Sequence, residues 1–330
     1  MKQHNGFEQV RRFLKNVFVR NYQWKRMVRK HLKRHYSGDA TKSTSSDRMA
    51  VCMADGRMLH GGLADRLRSY VSYYGFCREH GLRFAINFTS PFRLEDYLVP
   101  NRYDWTLKPG ELTYNSYQAK PLFFKSSGAM TAMERKFQLK LINKYLLDDR
   151  YIQYHLYSNF SFGEDKFGEY FNELFMPSER ISAIVDRCKS ELDVGYISIS
   201  TRFLELLGDF KEPKNKRVLS AEEQEELIEE CRGIVERLHS ENPDVKILLT
   251  SDSQRFLDSC KKLEYIYIPE GEIAHVDIKS ECDHTKTIVD FLLIAGASSV
   301  YQIKCGGMYD GNFSLRAAQA GGKMHTLLQA

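Results

Sequence analysis

The sequence has no run approaching the roughly 18 to 20 consecutive apolar residues that a membrane span needs, so no spanning helix is expected. Its basic N-terminus shows no apolar core followed by small residues, which argues against a cleaved secretory signal. The seven cysteines include no C-x-x-C pair. Neither a zinc site nor a disulfide framework is therefore expected, and a reducing cytosol is the simplest location. G-x-G-x-x-G and G-x-x-x-x-G-K-[ST] are both missing, which disfavours a nicotinamide-dependent oxidoreductase or a P-loop enzyme. No D-x-D run stands where it would clamp a nucleotide through a divalent ion. The expectation is no metal and no resident cofactor. No internal repeat is visible.

What is present is a chain of 330 residues, enough for a sizeable core and, at about 150 residues per domain, for two domains. The net charge of +5 is unevenly spread: residues 1–37 hold eleven Lys/Arg against the single acid Glu8, leaving 37 basic and 42 acidic residues elsewhere. In "FEQVRRFLKNVFVRNYQWKRMVRKHLKRHY", Phe13, Phe18, Trp24, Met27 and Leu32 alternate with cations, the pattern of a basic amphipathic helix or pair of helices. Such a helix can lie on an anionic lipid surface, where each Lys or Arg contributes about 1 kcal/mol. It can equally pack on the protein body with its charges solvated. Nucleic acid is not expected as a partner, because the rest of the chain is acidic and carries no recognisable binding module. The polar segment "SGDATKSTSSD", Ser37 to Asp47, reads as a linker, with the folded region starting near Arg48. The expected organisation is leader and linker over 1–47, an N-terminal domain over 48–190 and a C-terminal domain over 191–330.

From Arg48 onward short apolar runs alternate with helical periodicity. "MAVCM", the helix after Gly62 and "RFAINF" give the β-α-β rhythm of a parallel sheet covered by helices. Helical spacing follows in "MTAMERKFQLKLINKYLL" and "FGEYFNELFMPSERISAIVDRC". The second half repeats the rhythm in "GYISIST", "SAEEQEELIEECRGIVERL", "VKILLTS", "DSQRFLDSCKKL", "YIYIP", "HTKTIVDFLLIAGA", "SSVYQIK" and "NFSLRAAQAGG". Ser220 precedes Glu223 by three, a capping-box spacing, and acids crowd that first turn. Two doubly wound domains in tandem are expected, with ligands bound in a cleft at the carboxyl ends of their strands.

Four places could carry chemistry. "MADGRMLHGGLADRLRS" follows a strand and feeds a helix, so Gly61 and Gly62 could bring backbone N–H groups to an anion. A plain glycine turn, with Asp65 and Arg66 as a solvated pair, explains it as well. "YISIST" ends in Arg202, whose planar fork can hold two phosphate oxygens; a strand-end arginine paired with Glu205 or Asp209 is the alternative. "LLTSDSQRF" places Asp252 and Ser253 at another strand end, where they could contact a ribose or a base, or simply cap a helix. Asp290 lies in "TIVDFLLIAGA", and "GNFSLRAA" puts Ser314 at a helix start that would suit a diphosphate or a plain cap.

In this order and spacing, these places resemble the GDP-fucose-dependent fucosyltransferase superfamily, which includes α-1,2-, α-1,6- and protein O-fucosyltransferases. The likeness spans most of residues 49–328. The stretch from His60 to Trp105 also looks like the start of bacterial glycosyltransferases from surface-polysaccharide loci. The resemblance implies a GT-B-like pair of Rossmann-like domains facing a cleft, with the donor mainly on the C-terminal domain. It implies an inverting, metal-independent transfer of fucose or a related sugar from a GDP-sugar to a glycan or lipid-linked oligosaccharide acceptor, at the cytoplasmic face of a membrane.

Residue by residue, Gly61, Gly62, Asp65 and Arg66 match the family's donor-facing loop. Arg202 matches the arginine of its H-x-R strand end, while Ser200 replaces the histidine. "TSDS" matches its T-D-S, and "GNFS" its S-x-F-S with Gly311 in place of the first serine. Asp252, Ser253, Asp290, Phe313 and Ser314 are the implied nucleotide contacts and Arg202 the implied stabiliser of the leaving diphosphate. Asp65 is the first choice of base over Asp55, Glu205 and His60. The departures at Ser200 and Gly311 leave open a nucleotide-sugar-binding protein of the same fold with weak or no catalysis.

Overall fold

The computed structural model describes residue 11 and residues 31–58, 61–125, 130–192, 195–209, 217–274, 276 and 283–329. Most of the expected amphipathic leader and His60 lie outside the described residues. The chain forms two compact units, one running to Arg93 and taking in Pro100–Lys166, the other made of Leu94–Val99 and Phe167–Ala330.

The N-terminal unit is built on four parallel strands, β1 (Met49–Ala54), β2 (Arg83–Phe88), β4 (Ala119–Phe124) and β5 (Gln153–Ser158), in the order β2-β1-β5-β4. β1 is buried along its whole length, as a strand covered on both faces must be. Helix α1 (Leu63–Glu79) packs against β1 and β2. Helix α2 (Ala132–Leu146) starts at a closed capping box between Thr131 and Glu134.

The opposite face, presented by Met49, Val51, Met53 and Tyr157, is covered by chain ahead of the expected domain start: Leu32 is fully buried among these residues, with Tyr36 and Tyr114 packed beside them. Burying Leu32 stabilises this unit by roughly 2 kcal/mol. Residues 37–47 are therefore not a linker. Asn115 Nδ2 donates to the carbonyls of Gly38 and Ala40 at 2.9 and 2.8 Å, Thr44 N–H donates to Gly110 O at 3.0 Å, and Ser43 Oγ donates to Glu111 O at 2.6 Å. The segment is polar because its partners are backbone groups, and that polarity makes it look like a spacer in sequence.

A buried relay ties this strap to the sheet. Thr113 N–H donates to Gln153 Oε1, so that oxygen accepts, and His155 Nε2, at 3.0 Å from it, carries the ring proton. His155 Nδ1 then accepts from Tyr36 OH at 2.6 Å. Burial, with Arg57 nearby, pushes the His155 imidazolium down to about 3.

The second unit carries five parallel strands: β7 (Ile197–Thr201), β8 (Ile247–Ser251), β9 (Ile266–Tyr267), β10 (Val300–Lys304) and β11 (His325–Gln329), in the order β11-β10-β7-β8-β9. This is the doubly wound arrangement in which the first strand neighbours the second and the fourth, and the direction of winding reverses between β7 and β10. Helices α5 (Ala221–Glu241) and α6 (Gln254–Cys260) supply Leu227, Cys231, Val235 and Phe256 to the core on the Ile197/Ile199 face. The Ser220–Glu223 capping box closes as its spacing predicts. Helices α7 (Thr285–Gly296) and α8 (Phe313–Ala320) contact β8 and β10 respectively.

The units divide at Lys166/Phe167, ahead of the boundary expected at residue 190. The segment "FGEYFNELFMPSERISAIVDRC" forms α3 (Phe167–Leu174), β6 (Phe175–Pro177) and α4 (Glu179–Leu192), with β6 paired to β3 (Leu98–Pro100). It packs on the second unit: Phe171 lies 5.4 Å from Phe291, and Asn172 Nδ2 donates to Ala320 O at 2.8 Å. Gly168 sits where any Cβ would fall 2.1 Å from Gln319 O, so this helix approaches α8 only because that side chain is missing.

The relay gives a pH signature. An unfolded imidazole titrates near 6.5 and the folded one near 3, so between these values the unfolded chain binds the extra proton and stability rises with pH. Urea unfolding at pH 4 and pH 7 should show this slope in the native protein and a reduced slope in His155→Phe; equal slopes would remove His155 from the acid response.

Candidate functional site

In open α/β sheets ligands bind outside the carboxyl ends of the strands at the point where the winding reverses. In the second unit that point lies between the ends of β7 and β10, and several of the expected residues converge there. Arg202 directly follows β7 with 27% of its side chain exposed, and its Nε lies 3.5 Å from Asp252 Oδ2 at the end of β8. The carboxylate is nearly buried, and its oxygens accept from Phe203 N–H and Leu204 N–H, each at 2.8 Å. Leu204 is the one non-glycine residue with positive φ, 57°, among the described residues, a conformation that leucine adopts only when its surroundings enforce it. Asp252 thus fixes the turn that carries Arg202. Burial raises its pKa, opposed by Arg202 and the two amides.

The other wall is the loop after β10. Tyr309 N–H donates to Arg202 O at 3.1 Å. Gly311 lies against both residues: a Cβ there would stand 3.8 Å from Arg202 Cγ and from Tyr309 Cδ1, ordinary contact distances with room for a side chain. Phe313 opens α8, edge-on to Phe291 at 5.5 Å, and Ser314 is buried beside Gln302 and His325. Tyr309, 47% exposed, is not among the residues that sequence reasoning points to. The glycine-rich run "KCGGMYDGNF" after a strand is the signal that could have found it.

The remaining expected contacts are committed elsewhere. Ser253 caps α6, accepting from Phe256 N–H at 3.2 Å and donating to Asp209 Oδ2 at 2.8 Å. Asp290 is buried in α7 and pairs with Lys286 Nζ at 3.1 Å, which also donates to Pro269 O at 3.0 Å; burial pushes the Asp290 carboxyl up against the pull of that lysine. Ser200, at the family's histidine position, turns its hydroxyl to Thr250 Oγ1 at 2.8 Å. The carboxylates of Asp252 and Asp290 thus already have buried partners within the chain.

In the N-terminal unit, Gly62 is the N-cap of α1 and offers no side-chain cap. Gly61 is required for a different reason from ligand approach, since a Cβ there would fall 2.3 Å from Asp65 Oδ2. Asp65 folds over that glycine and pairs with Arg68 at 2.9 Å. Arg66 is buried, donating through Nε to Gly61 O and through Nη1 to Ser90 O, both at 3.0 Å, with its guanidinium 4.8 Å from the Phe88 ring. It holds the loop in place. Asp55, after β1, accepts from Tyr157 OH, Tyr114 OH and Arg57 Nη1 at 2.9, 3.2 and 3.1 Å. Among the described residues no three His, Cys, Asp or Glu side chains gather as a metal would require, and no helix is long and apolar enough to cross a membrane.

No protein-family model matches the chain, and no curated protein is significantly similar to it. Solved structures are. A mutant of the Arabidopsis thaliana fucosyltransferase FUT1, in complex with GDP, is 10% identical and superposes over 92% of this chain and 74% of that one, with a TM-score of 0.54. The fucosyltransferase NodZ from Bradyrhizobium is 12% identical over 83% of this chain and 92% of that one, with a TM-score of 0.52. The α-1,6-fucosyltransferase NodZ co-crystallised with GDP covers the same shares at 12% identity and a TM-score of 0.50. The fold is the parallel α/β fold of GT-B fucosyltransferases.

Replacing Asp252 by Ala strands two buried amides and an arginine, and should lower the unfolding free energy by about 3 kcal/mol. Asp252→Asn keeps one acceptor and should lose about half as much; denaturant titration that finds both variants as stable as the native chain would contradict the supporting role.

Proposed function

We propose that the protein transfers fucose from GDP-fucose to a glycan acceptor, with inversion and without a metal ion. The observation that carries this reading is a partly exposed guanidinium at the winding reversal of the second sheet, in a fold shared with fucosyltransferases solved with GDP. In the reaction an acceptor hydroxyl oxygen bonds to the anomeric carbon as the bond from that carbon to the β-phosphate oxygen breaks. GDP leaves with the electron pair, and the acceptor proton passes to a carboxylate. A fixed cation aimed at the oxygen that gains charge lowers the barrier because its stabilisation grows as the bond breaks. Arg202 has that role, and Asp252 on one side and the Tyr309 backbone on the other keep it in place.

For the base, Asp65 remains the choice over Asp55. A third of its side chain is exposed, whereas Asp55 is 6% exposed and spends its carboxylate on two tyrosines and Arg57. A specific observation favours a second reading, a nucleotide-sugar-binding protein without transfer: at the family's histidine position stands Ser200, whose hydroxyl is paired with Thr250 Oγ1. GDP release from GDP-fucose with a broad glycan panel separates the two, since a pure binder gains thermal stability and releases none.

Arg202→Ala should fold normally and lose about a hundredfold to a thousandfold in turnover, and Asp65→Asn should lose turnover while its affinity for GDP stays unchanged. A native rate in Arg202→Ala would take Arg202 out of the chemistry.

The cationic residues 1–30 fit an acceptor presented on an anionic membrane in surface-polysaccharide synthesis. The test is flotation with liposomes containing anionic lipid. Truncation at Arg48 is unsuitable, because Leu32 and Tyr36 belong to the core. The full chain should float, and a variant with the Lys and Arg of residues 11–30 changed to Gln should not. Equal flotation would refute the membrane role.

A further inference from the structure

Gln302 lies in the middle of β10 and is 2% exposed, on a strand where an apolar side chain would be the default. A buried carboxamide is costly unless both its ends are bonded. Assigned with its nitrogen toward Gly311 O, the orientation that satisfies both ends, it donates to Gly311 O and Ser314 Oγ, both at 3.0 Å, and its oxygen accepts from Gly311 N–H at 3.2 Å. Ser314 in turn lies 3.1 Å from His325 Nε2, so its hydroxyl can receive from the amide and give to the ring. One strand side chain thereby holds both backbone polar groups of Gly311 and the first turn of α8.

Gly311 is also the residue that lies against the stem of Arg202 and the ring of Tyr309. The register places Gln302 opposite Ser200, which in turn faces Thr250. A polar row thus crosses three central strands on the face of the sheet where helical packing would otherwise call for hydrocarbon.

We infer that Gln302 is a positioning residue for nucleotide binding: its carboxamide fixes the Gly311–Ser314 turn so that this wall and Arg202 are set before the diphosphate arrives. The inference rests on the fucosyl-transfer reading only for the identity of the ligand. Without the amide, Gly311 would have to find other partners for its N–H and C=O, and the turn would be free to leave the Arg202 stem. A preset wall spares the ligand the ordering of that segment on binding.

The test uses full-length protein with GDP as the probe and three variants. Hydrogen exchange in the ligand-free protein should show faster exchange of the 309–314 amides in Gln302→Leu, with the core strands unchanged. Calorimetry should show the GDP dissociation constant weakened about tenfold or more, since loss of a buried amide's partners is a change of that order. Gln302→Glu, which still accepts from Gly311 N–H but cannot donate to its carbonyl, should fall between Gln302→Leu and the native chain. If Gln302→Leu does not fold, Gln302→Asn, too short to reach Gly311, replaces it. Unchanged exchange in the loop overturns the inference, and so does raised exchange with native GDP affinity. Failure of the native protein to bind GDP sinks the choice of donor, while loop exchange still decides whether Gln302 orders the turn.

Discussion

A nearly buried carboxylate, Asp252, fixes the turn that carries Arg202 at the end of β7. Two amide donors at 2.8 Å and an arginine nitrogen at 3.5 Å converge on it, and charge-assisted bonds of this kind each contribute roughly 1.5 to 3 kcal/mol. That is enough to hold Leu204 in a left-handed conformation that costs about 1 to 3 kcal/mol. Arg202 is therefore fixed at the strand end instead of sampling solvent. Gln302 does the matching work from the β10 side with a neutral amide. The winding reversal between β7 and β10 is walled by two buried polar side chains, each bonded to backbone groups of the adjoining turn.

The N-terminal unit solves a different problem. Its sheet has α1 on one face and needs cover on the other, which the chain supplies from Leu32, Tyr36 and the loop around Tyr114. Because the strap ends in a hydrogen-bonded relay to His155 and Gln153, its register on the sheet is set by polar contacts as well as by apolar area. The cationic leader is thus continuous in sequence with core residues.

Much of the second unit is legible in the sequence. The alternation of short apolar runs with helical periodicity places β7, β8, β10, α5 and α7, and the Ser220–Glu223 spacing marks a helix start that the fold keeps. Strands such as "AKPLFF" and "QYHLYS" escape such reading, because tyrosine, glutamine and histidine on a buried face do not alternate as apolar and polar residues do. The strap misleads for the complementary reason: its polar composition means partners on the backbone, not solvent. At the candidate site, sequence brings Arg202 and Asp252 to neighbouring strand ends but does not give the direction of the side chains. Asp252, Ser253 and Asp290 turn inward, Gly61 makes room for Asp65, and Tyr309 emerges from a loop that reads only as glycine-rich. Spacing carries topology; which way a carboxylate faces depends on packing from distant elements.

The most direct measurement is a crystal structure of the native chain soaked with GDP. The expected result is a diphosphate oxygen within hydrogen-bonding distance of the Arg202 guanidinium, beside Gly311, with the Asp252 bonds to Phe203 and Leu204 intact. Nucleotide bound elsewhere, with Arg202 still directed at Asp252, would contradict the assignment of this strand end as the diphosphate site.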